Sequence, residues 1–236
     1  ADLALLAAMN VPEVTVARRP RVALLATGDE LVPPGQSPGP DQIIASNTYA
    51  LKAMIDAAGG EGVILPIAPD REGPLGEAMQ AMTQMDLAVT IGGASVGDHD
   101  LVGKVGLELG LDRAFHKIAM RPGKPLAFGR VFDRPFIGLP GNPVSALVGL
   151  EVFVKPVIAQ LLGHAWAPRA VSARLAAGYV SDGRETYLRV RLREDPAGPL
   201  AELTGAQTSN LITSMVSADA LLIIPAGVSH IPPGAV

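Results

Sequence analysis

Leu87-Ala88-Val89-Thr90-Ile91-Gly92-Gly93-Ala94-Ser95-Val96-Gly97-Asp98-His99-Asp100 decides how the chain is read. Its apolar start predicts a short buried strand, and Leu101 to Leu109, which follows, predicts a helix. The stretch between is a strand-to-helix loop, the position at which open α/β sheets bind ligands. Gly92, Gly93 and Gly97 let the backbone approach a ligand and expose its N–H groups. Ser95 adds a hydroxyl, and the following helix N-terminus favours an anion. Asp98 and Asp100 supply carboxylates able to hold a hard cation beside that anion. The same two aspartates also suit a purely local task, capping the helix.

Working outward, Arg21 to Ala26 is a continuous apolar run, the pattern of a strand covered on both faces. It ends in Thr27-Gly28-Asp29-Glu30-Leu31. After a turn-rich segment, Pro33 to Pro40, a helix is expected from Ser46 or Asn47 through Ala58, stopped by Gly59-Gly60. Gly62 to Ile67 reads as a strand with Asp70-Arg71-Glu72 at its carboxyl end, and Leu75 to Met85 reads as a helix. This β-α-β-α-β alternation predicts a parallel sheet with right-handed crossovers. Three further strand-like pieces follow: Ala114 to Met120, Leu126 to Val131 and Pro135 to Leu139. A hairpin at Phe132-Asp133-Arg134 joins the last two and makes the sheet mixed. Pro140-Gly141-Asn142-Pro143 stands at a strand end, and Val144 to Leu162 has helical periodicity with a kink or break at Pro156.

Gly163 to Pro168 reads as a linker. Beyond it lie short strand candidates at Val171 to Ala177, Glu185 to Leu192, Ala201 to Leu203 and Ala220 to Ile224, with one helical turn within Asn210 to Val216. The expected organisation is a lead-in over residues 1–17, an α/β domain over 18–163 and a mostly β domain over 169–236. The opening segment Ala1 to Asn10 reads as the end of a helix, without a basic leader, and the absence of an initiator Met is read as loss of upstream sequence.

Composition narrows the function. The 236 residues are 48% hydrophobic, enough for a substantial core. The net charge is −4 and no run is densely basic, which argues against a nucleic-acid partner. There is no cysteine, which excludes disulfides, thiolate metal sites and cysteine nucleophiles and fits a cytoplasmic location. No apolar run is read as long enough to span a membrane. The P-loop pattern is absent, and no Gly-x-Gly-x-x-Gly follows Leu25 or Ile91. Gly93-Ala94-Ser95-Val96-Gly97 has the spacing of a hydrolase nucleophile elbow. The closing histidine of such a triad would be His230, in a Pro-rich tail, a poor place for a general base. His99 and His116 have no Glu or His at zinc spacing.

A parallel sheet would gather at one edge the loops Thr27 to Leu31, Asp70 to Glu72, Gly92 to Asp100 and Pro140 to Ser145, with the segment Lys117 to Lys124 bringing cations. Carboxylates (Asp29, Glu30, Asp70, Asp98, Asp100), cations (Lys117, Arg121, Lys124) and glycine-rich backbone suit a phosphorylated ligand with a divalent metal. Local readings stand beside this. Glu30 can be a solvated loop acid, Asp70 a helix N-cap, and Lys117 and Arg121 surface charges.

Four motifs occur in one order: Thr27-Gly28-Asp29-Glu30-Leu31, Gly92 to Asp100, Met120-Arg121-Pro122-Gly123-Lys124-Pro125, and Leu139-Pro140-Gly141-Asn142-Pro143-Val144-Ser145. Together the chain resembles the molybdopterin molybdenumtransferases, the metal-inserting enzymes of molybdenum cofactor synthesis, whose animal relative is the gephyrin E domain. The resemblance implies a three-layer α/β/α molybdopterin-binding domain with a mostly parallel mixed sheet, followed by a small β-barrel domain. It implies two further domains before Ala1, so that this chain would be a C-terminal fragment. It implies adenylylated molybdopterin and molybdate as substrates, AMP and finished cofactor as products, and Mg²⁺. By motif, Glu30, Asp70, Asp100, Lys117 and Arg121 would be the catalytic set, with Glu30 and Asp100 as metal ligands. Thr27, Gly28, Gly92, Gly93, Ser95, Gly97, Asp98, Lys124, Pro140, Gly141, Asn142, Pro143 and Ser145 would line the pterin and molybdate pocket. Many family members carry Lys where Arg121 stands; Arg keeps the charge and offers a fork suited to an oxyanion. In the second domain, Arg184 with Arg189 and Ser209 with Ser214 resemble pieces facing the same cleft. The family also implies a homodimer that completes the cleft and a molybdopterin adenylyltransferase as partner. Two alternatives share the fold: a catalytically incomplete pterin-binding or scaffold module, and the related adenylyltransferase, which lacks the appended barrel.

Overall fold

The computed structural model describes residues 2–93 and 100–236. From the N-terminus the elements are α1 (Asp2–Ala8), β1 (Arg21–Ala26), β2 (Leu31–Val32), β3 (Ile43–Ile44), α2 (Asn47–Ala57), β4 (Glu61–Ile64), α3 (Glu72–Gln80), β5 (Leu87–Ile91), α4 (Leu101–Glu108), β6 (Asp112–Phe115) and β7 (Met120–Arg121). There follow β8 (Ala127–Val131), β9 (Arg134–Leu139), α5 (Pro143–Gly149), α6 (Lys155–Leu161), β10 (Arg174–Leu175), β11 (Tyr179–Val180), β12 (Glu185–Arg193), β13 (Leu200–Leu203), α7 (Thr213–Val216), β14 (Ala220–Ile224) and β15 (His230–Ile231).

The main sheet has the order β4-β1-β5-β9-β8-β6. Its first four strands are parallel, and the β8–β9 and β6–β8 pairs are antiparallel. Alternate residues of each central strand enter different cores. Val22, Leu24, Val89 and Ile91 pack against Leu51 and Ile55 of α2 and against Ala146, Leu147 and Ile158 of α5 and α6. Ala23, Leu25 and Ala88 pack against Leu75 and Met79 of α3 and Val102 and Val105 of α4. This is the three-layer α/β/α arrangement, and it explains why Arg21–Ala26 is apolar without alternation: only its first residue is exposed.

Several elements differ from expectation. The run Ala114 to Met120 is not one strand. It divides into β6, at the edge of the main sheet, and β7, which pairs in parallel with β12 of the second domain through Met120↔Glu185 and Arg121↔Thr186. The hairpin between β8 and β9 turns on Phe132 and Asp133, at φ of 52° and 57°, the left-handed pair that suits a tight two-residue connection. Pro156 does not break its helix. The preceding residues Leu150–Val154 widen into a π turn, which absorbs the missing N–H, and α6 continues. The stretch Pro143–Leu161 is also long and apolar enough to cross a bilayer, contrary to the expectation that no run reaches that length. Its apolar residues are spent on the sheet, as the central helix of the first core.

The second domain is the expected small β unit. β10-β13-β12-β14 form its sheet, β11 and β15 an antiparallel ribbon. Leu188, Val190, Ala201 and Ile224 from the sheet share a core with Tyr179 and Ile231 from the ribbon. The barrel wall is thus made of two ladders rather than one continuous one.

Two glycines separate space from flexibility. Gly129, in β8, would press a Cβ into the Asp112 carbonyl and the Arg113 Cα of β6, while Gly73 in α3 has nothing within 4 Å of that position. In urea unfolding, Gly129→Ala should lose about 1–3 kcal/mol by overpacking. Gly73→Ala should gain about 0.5 kcal/mol by restricting the unfolded chain.

Candidate functional site

β1, β4, β5 and β9 run parallel, so the segments following them, at Thr27, Leu65, Gly92 and Pro140, leave from one edge. β6 ends and β8 begins at that same edge, which brings in residues 116–126. The sheet order then sets a sequence of chemistries along the rim. Acids lie at the β4–β1 end, glycine turns at β5 and β9, and cations beyond them between β6 and β8.

The acidic end is built around Gly28. This residue has a φ of 147°, and its N–H donates to the Ala68 carbonyl at 3.2 Å, tying the loop after β1 to the loop after β4. The space where a Cβ would stand is filled by the Glu30 carboxylate. Asp70 does not cap α3. Arg71 holds the N-cap position, with no side-chain cap bond, while the Asp70 N–H donates to Asp29 Oδ1 at 3.2 Å. Partial burial raises the Asp70 carboxyl above its ordinary value, and the nearby Glu30 and Asp29 carboxylates add to the rise.

The glycine turns stand side by side because their strands do. Gly92, at φ 85°, would place a Cβ 2.9 Å from the Thr27 carbonyl oxygen, and the Gly141 Cβ position is 3.6 Å from Gly92 Cα. Thr27 is buried, and its Oγ1 has no hydrogen-bond partner among the described residues. Gly93, at φ 63°, would crowd Thr27 Oγ1 at 2.7 Å. Pro140 is buried, while Gly141 and Asn142 are exposed; Pro143 opens α5, whose first turn contains the buried Ser145. Of the two residues expected to cap α2, Ser46 holds the N-cap position without a side-chain bond, and Asn47 sends its Nδ2 to the Gly141 carbonyl at 2.8 Å. The Val144 N–H donates to the Ser209 carbonyl at 3.0 Å. The turn before α5 is therefore held from α2 on one side and from the second domain on the other.

Asp100 takes the capping role left open by the sequence. Its Oδ1 accepts from the Gly103 N–H at 2.9 Å and its Oδ2 from Arg113 Nη1 at 2.7 Å. Its side chain keeps about 20% exposure. Ser95, Gly97 and Asp98 lie outside the described residues.

At the cationic end, Lys117 and Lys124 are exposed, and neither makes an ion pair among the described residues. The segment closes on itself through Ile118 N–H to the Lys124 carbonyl at 3.1 Å. Arg121 lies 3.5 Å from Asp182 of the second domain, which also binds Arg184. Arg189 and Ser214 do not face the cleft: they are 1% and 2% exposed, and Arg189 Nε donates to Ser214 Oγ at 3.1 Å. Arg189 Nη2 donates to the Thr208 carbonyl at 3.0 Å, so this guanidinium braces the loop that carries Ser209. Desolvation lowers its pKa.

The comparisons fit this geometry. Residues 23–160 match the family described as "Probable molybdopterin binding domain", and residues 172–236 match "MoeA C-terminal region (domain IV)". The fold is thus that of the matched α/β domain with the matched β domain appended. The chain belongs to the MoeA-like molybdopterin molybdenumtransferase family. It is 39% identical over 99% of its length to the molybdopterin molybdenumtransferase of Nostoc sp., covering 56% of that protein. It is 42% identical over 69% of its length to the enzyme of that name from Haemophilus influenzae, covering 40% of it. A crystal structure of a molybdopterin biosynthesis MoeA protein from Pyrococcus horikoshii superposes with a TM-score of 0.86 at 35% identity, over 98% of this chain and 56% of that one. The chain spans about half the length of the curated relatives it matches.

The acidic cluster has a measurable signature. In Glu30→Gln, one like charge is removed, and the Asp70 carboxyl should titrate at lower pH than in the wild type by carboxyl ¹³C NMR. The sign follows from linkage. A raised folded-state pKa stabilises the fold below the unfolded pKa, and that contribution is lost as pH rises through the folded value, so relief appears only when Asp70 is ionised. An unchanged Asp70 titration would separate the two carboxylates.

Proposed function

We propose that this chain carries the pterin- and molybdate-handling part of an enzyme that inserts molybdate into adenylylated molybdopterin and releases AMP. The observation that carries the reading is the rim itself: three acids at one end, cations at the other, and closely packed glycine turns between them on the edge where open α/β sheets bind ligands.

The donor set near Glu30 fits Mg²⁺. It is all oxygen, and Asp70 is held above its ordinary pKa by partial burial and, beyond that, by carboxylates that a cation would neutralise. Among the described residues no group of three or more His, Cys, Asp or Glu is placed to hold a metal. That suits an ion bound by one or two carboxylates plus substrate phosphate oxygens, the usual mode for Mg²⁺. Glu30 with Asp70 would hold it. Asp100, expected beside Glu30, has its oxygens on Gly103 and Arg113 and contributes by fixing the start of α4. When bound, Mg²⁺ supplies positive charge at the phosphoanhydride.

The protein groups then have separable tasks. Lys117, Arg121 and Lys124 offset the charge of molybdate and of the dithiolene-bearing substrate, which otherwise repel each other. The Pro140–Pro143 turn, held by Asn47 and by Ser209, gives the pocket a wall tied down from two sides. Thr27, Gly28, Gly92 and Gly93 let the substrate lie against backbone. Loss of AMP calls for positioning and charge neutralisation more than for a protein nucleophile, which agrees with a chain lacking cysteine. A homodimer, receipt of substrate from a molybdopterin adenylyltransferase and a cytoplasmic location belong to the same proposal and rest on the family resemblance.

AMP release from adenylylated molybdopterin, measured with and without molybdate in the full-length protein, tests the reading. Molybdate should be required for AMP release. Glu30→Ala and Lys117→Ala should each lower turnover by about 100-fold while circular dichroism stays unchanged. Wild-type rates in both variants would refute the assignment of the rim.

A further inference from the structure

Asp182 lies in the turn before β12 and reaches toward the first domain. Its Oδ2 is 3.5 Å from Arg121 Nη1 and 2.5 Å from Arg184 Nη2. Arg184 Nε lies 3.1 Å from both carboxylate oxygens. The Arg184 guanidinium is itself steered by a bond from Nη1 to the Met120 carbonyl at 3.3 Å, on β7. Because β7 pairs with β12, Arg121 stands opposite Thr186, two residues along from Arg184. Two guanidinium groups, one from each domain, therefore share one carboxylate.

The Asp182 carboxylate presents its oxygens to both guanidinium groups. A guanidinium fork recognises a carboxylate edge and an edge of a tetrahedral oxyanion by the same geometry. The three side chains remain 42%, 37% and 33% exposed for Arg121, Asp182 and Arg184, so the pairing is screened by water and open to exchange. Neither arginine can shed its proton to relieve the charge. Asp182 stays ionised as well, its carboxyl held at about 2 chiefly by the hydrogen bond from Arg184.

We propose that Asp182 is a resident competitor for oxyanions: it occupies Arg121 and Arg184 and yields them to a tetrahedral dianion such as molybdate, thereby setting the affinity of this end of the rim. The inference rests on the reading of Arg121 as an anion-holding residue. It adds a control that the four motifs do not contain, since Asp182 lies in none of them. A dianion brings twice the charge of the carboxylate to the same two cations, which is why the exchange runs in its favour.

Equilibrium dialysis of molybdate against this chain separates the inference from its premise. Asp182→Asn keeps the shape and the Oδ1 acceptor for the Arg184 N–H while removing the charge. It should bind molybdate about fivefold more tightly at low salt, with the gain shrinking as ionic strength rises. Arg121→Gln should weaken binding, and Arg121→Gln in the Asp182→Asn background should lose most of the gain. Binding by Asp182→Asn alone, with none detectable in the wild type, would also support the competitor role. Equal or weaker binding by Asp182→Asn, with an unchanged thermal melt, would overturn it and make Asp182 a group that orients the arginines. Unchanged binding in Arg121→Gln, or no binding by any of these chains, would overturn the premise as well.

Discussion

The constraint on which the rest depends is that four neighbouring strands run in one direction and are covered on both faces. A parallel pair cannot be closed by a hairpin, so each connection must leave at the carboxyl end, cross a face as a helix and return at the amino end. With α2, α5 and α6 on one face and α3 and α4 on the other, β4, β1, β5 and β9 have no freedom about where their following loops emerge. The candidate site residues are collected by this rule before any side-chain contact is considered. Gly28, Gly92 and Gly141 come into register because β1, β5 and β9 are adjacent, and their lack of side chains lets the turns close on one another.

Strand order also arranges charge. The acids after β1 and β4 are separated from the cationic segment before β8 by β5 and β9. At about 4.8 Å per strand, β1 and β8 are roughly 14 Å apart, more than a Debye length at physiological salt. Charges at the two poles are therefore largely screened from each other. The cationic pole is completed by the second domain, through the Asp182–Arg184 turn and the Arg189-braced loop bearing Ser209.

Much of this was readable from the residues in order. Arg21–Ala26 and Leu87–Ile91 announce doubly covered strands, and the alternation with helical periods gives the parallel sheet and hence the common edge. What could not be read rests on contacts between distant positions. Nothing in Met120-Arg121 says that these two residues leave one sheet for another, because a two-residue ladder has no periodicity. Asn47 has the look of a cap, and only folding shows that its amide crosses to Gly141, 94 positions later. Asp70 and Asp100 both carry a capping reading, and only folding decides between them. Both precede a helix, but Asp100 is itself the N-cap of α4 and is bound by Arg113, whereas Arg71 takes the N-cap position of α3. Asp182 has a local partner in Arg184, two positions on, but its link to Arg121, 61 positions earlier, cannot be read along the chain.

The short strand β7 has a structural consequence of its own. Its residues belong covalently to the first half of the chain, yet their ladder partners lie in β12. The linker near residue 163 is thus a boundary in the polypeptide and not in the hydrogen-bond network. Severing the chain there would leave one piece with a dangling β-edge and the other with a sheet missing a rung, and neither half would carry its native backbone pairing alone.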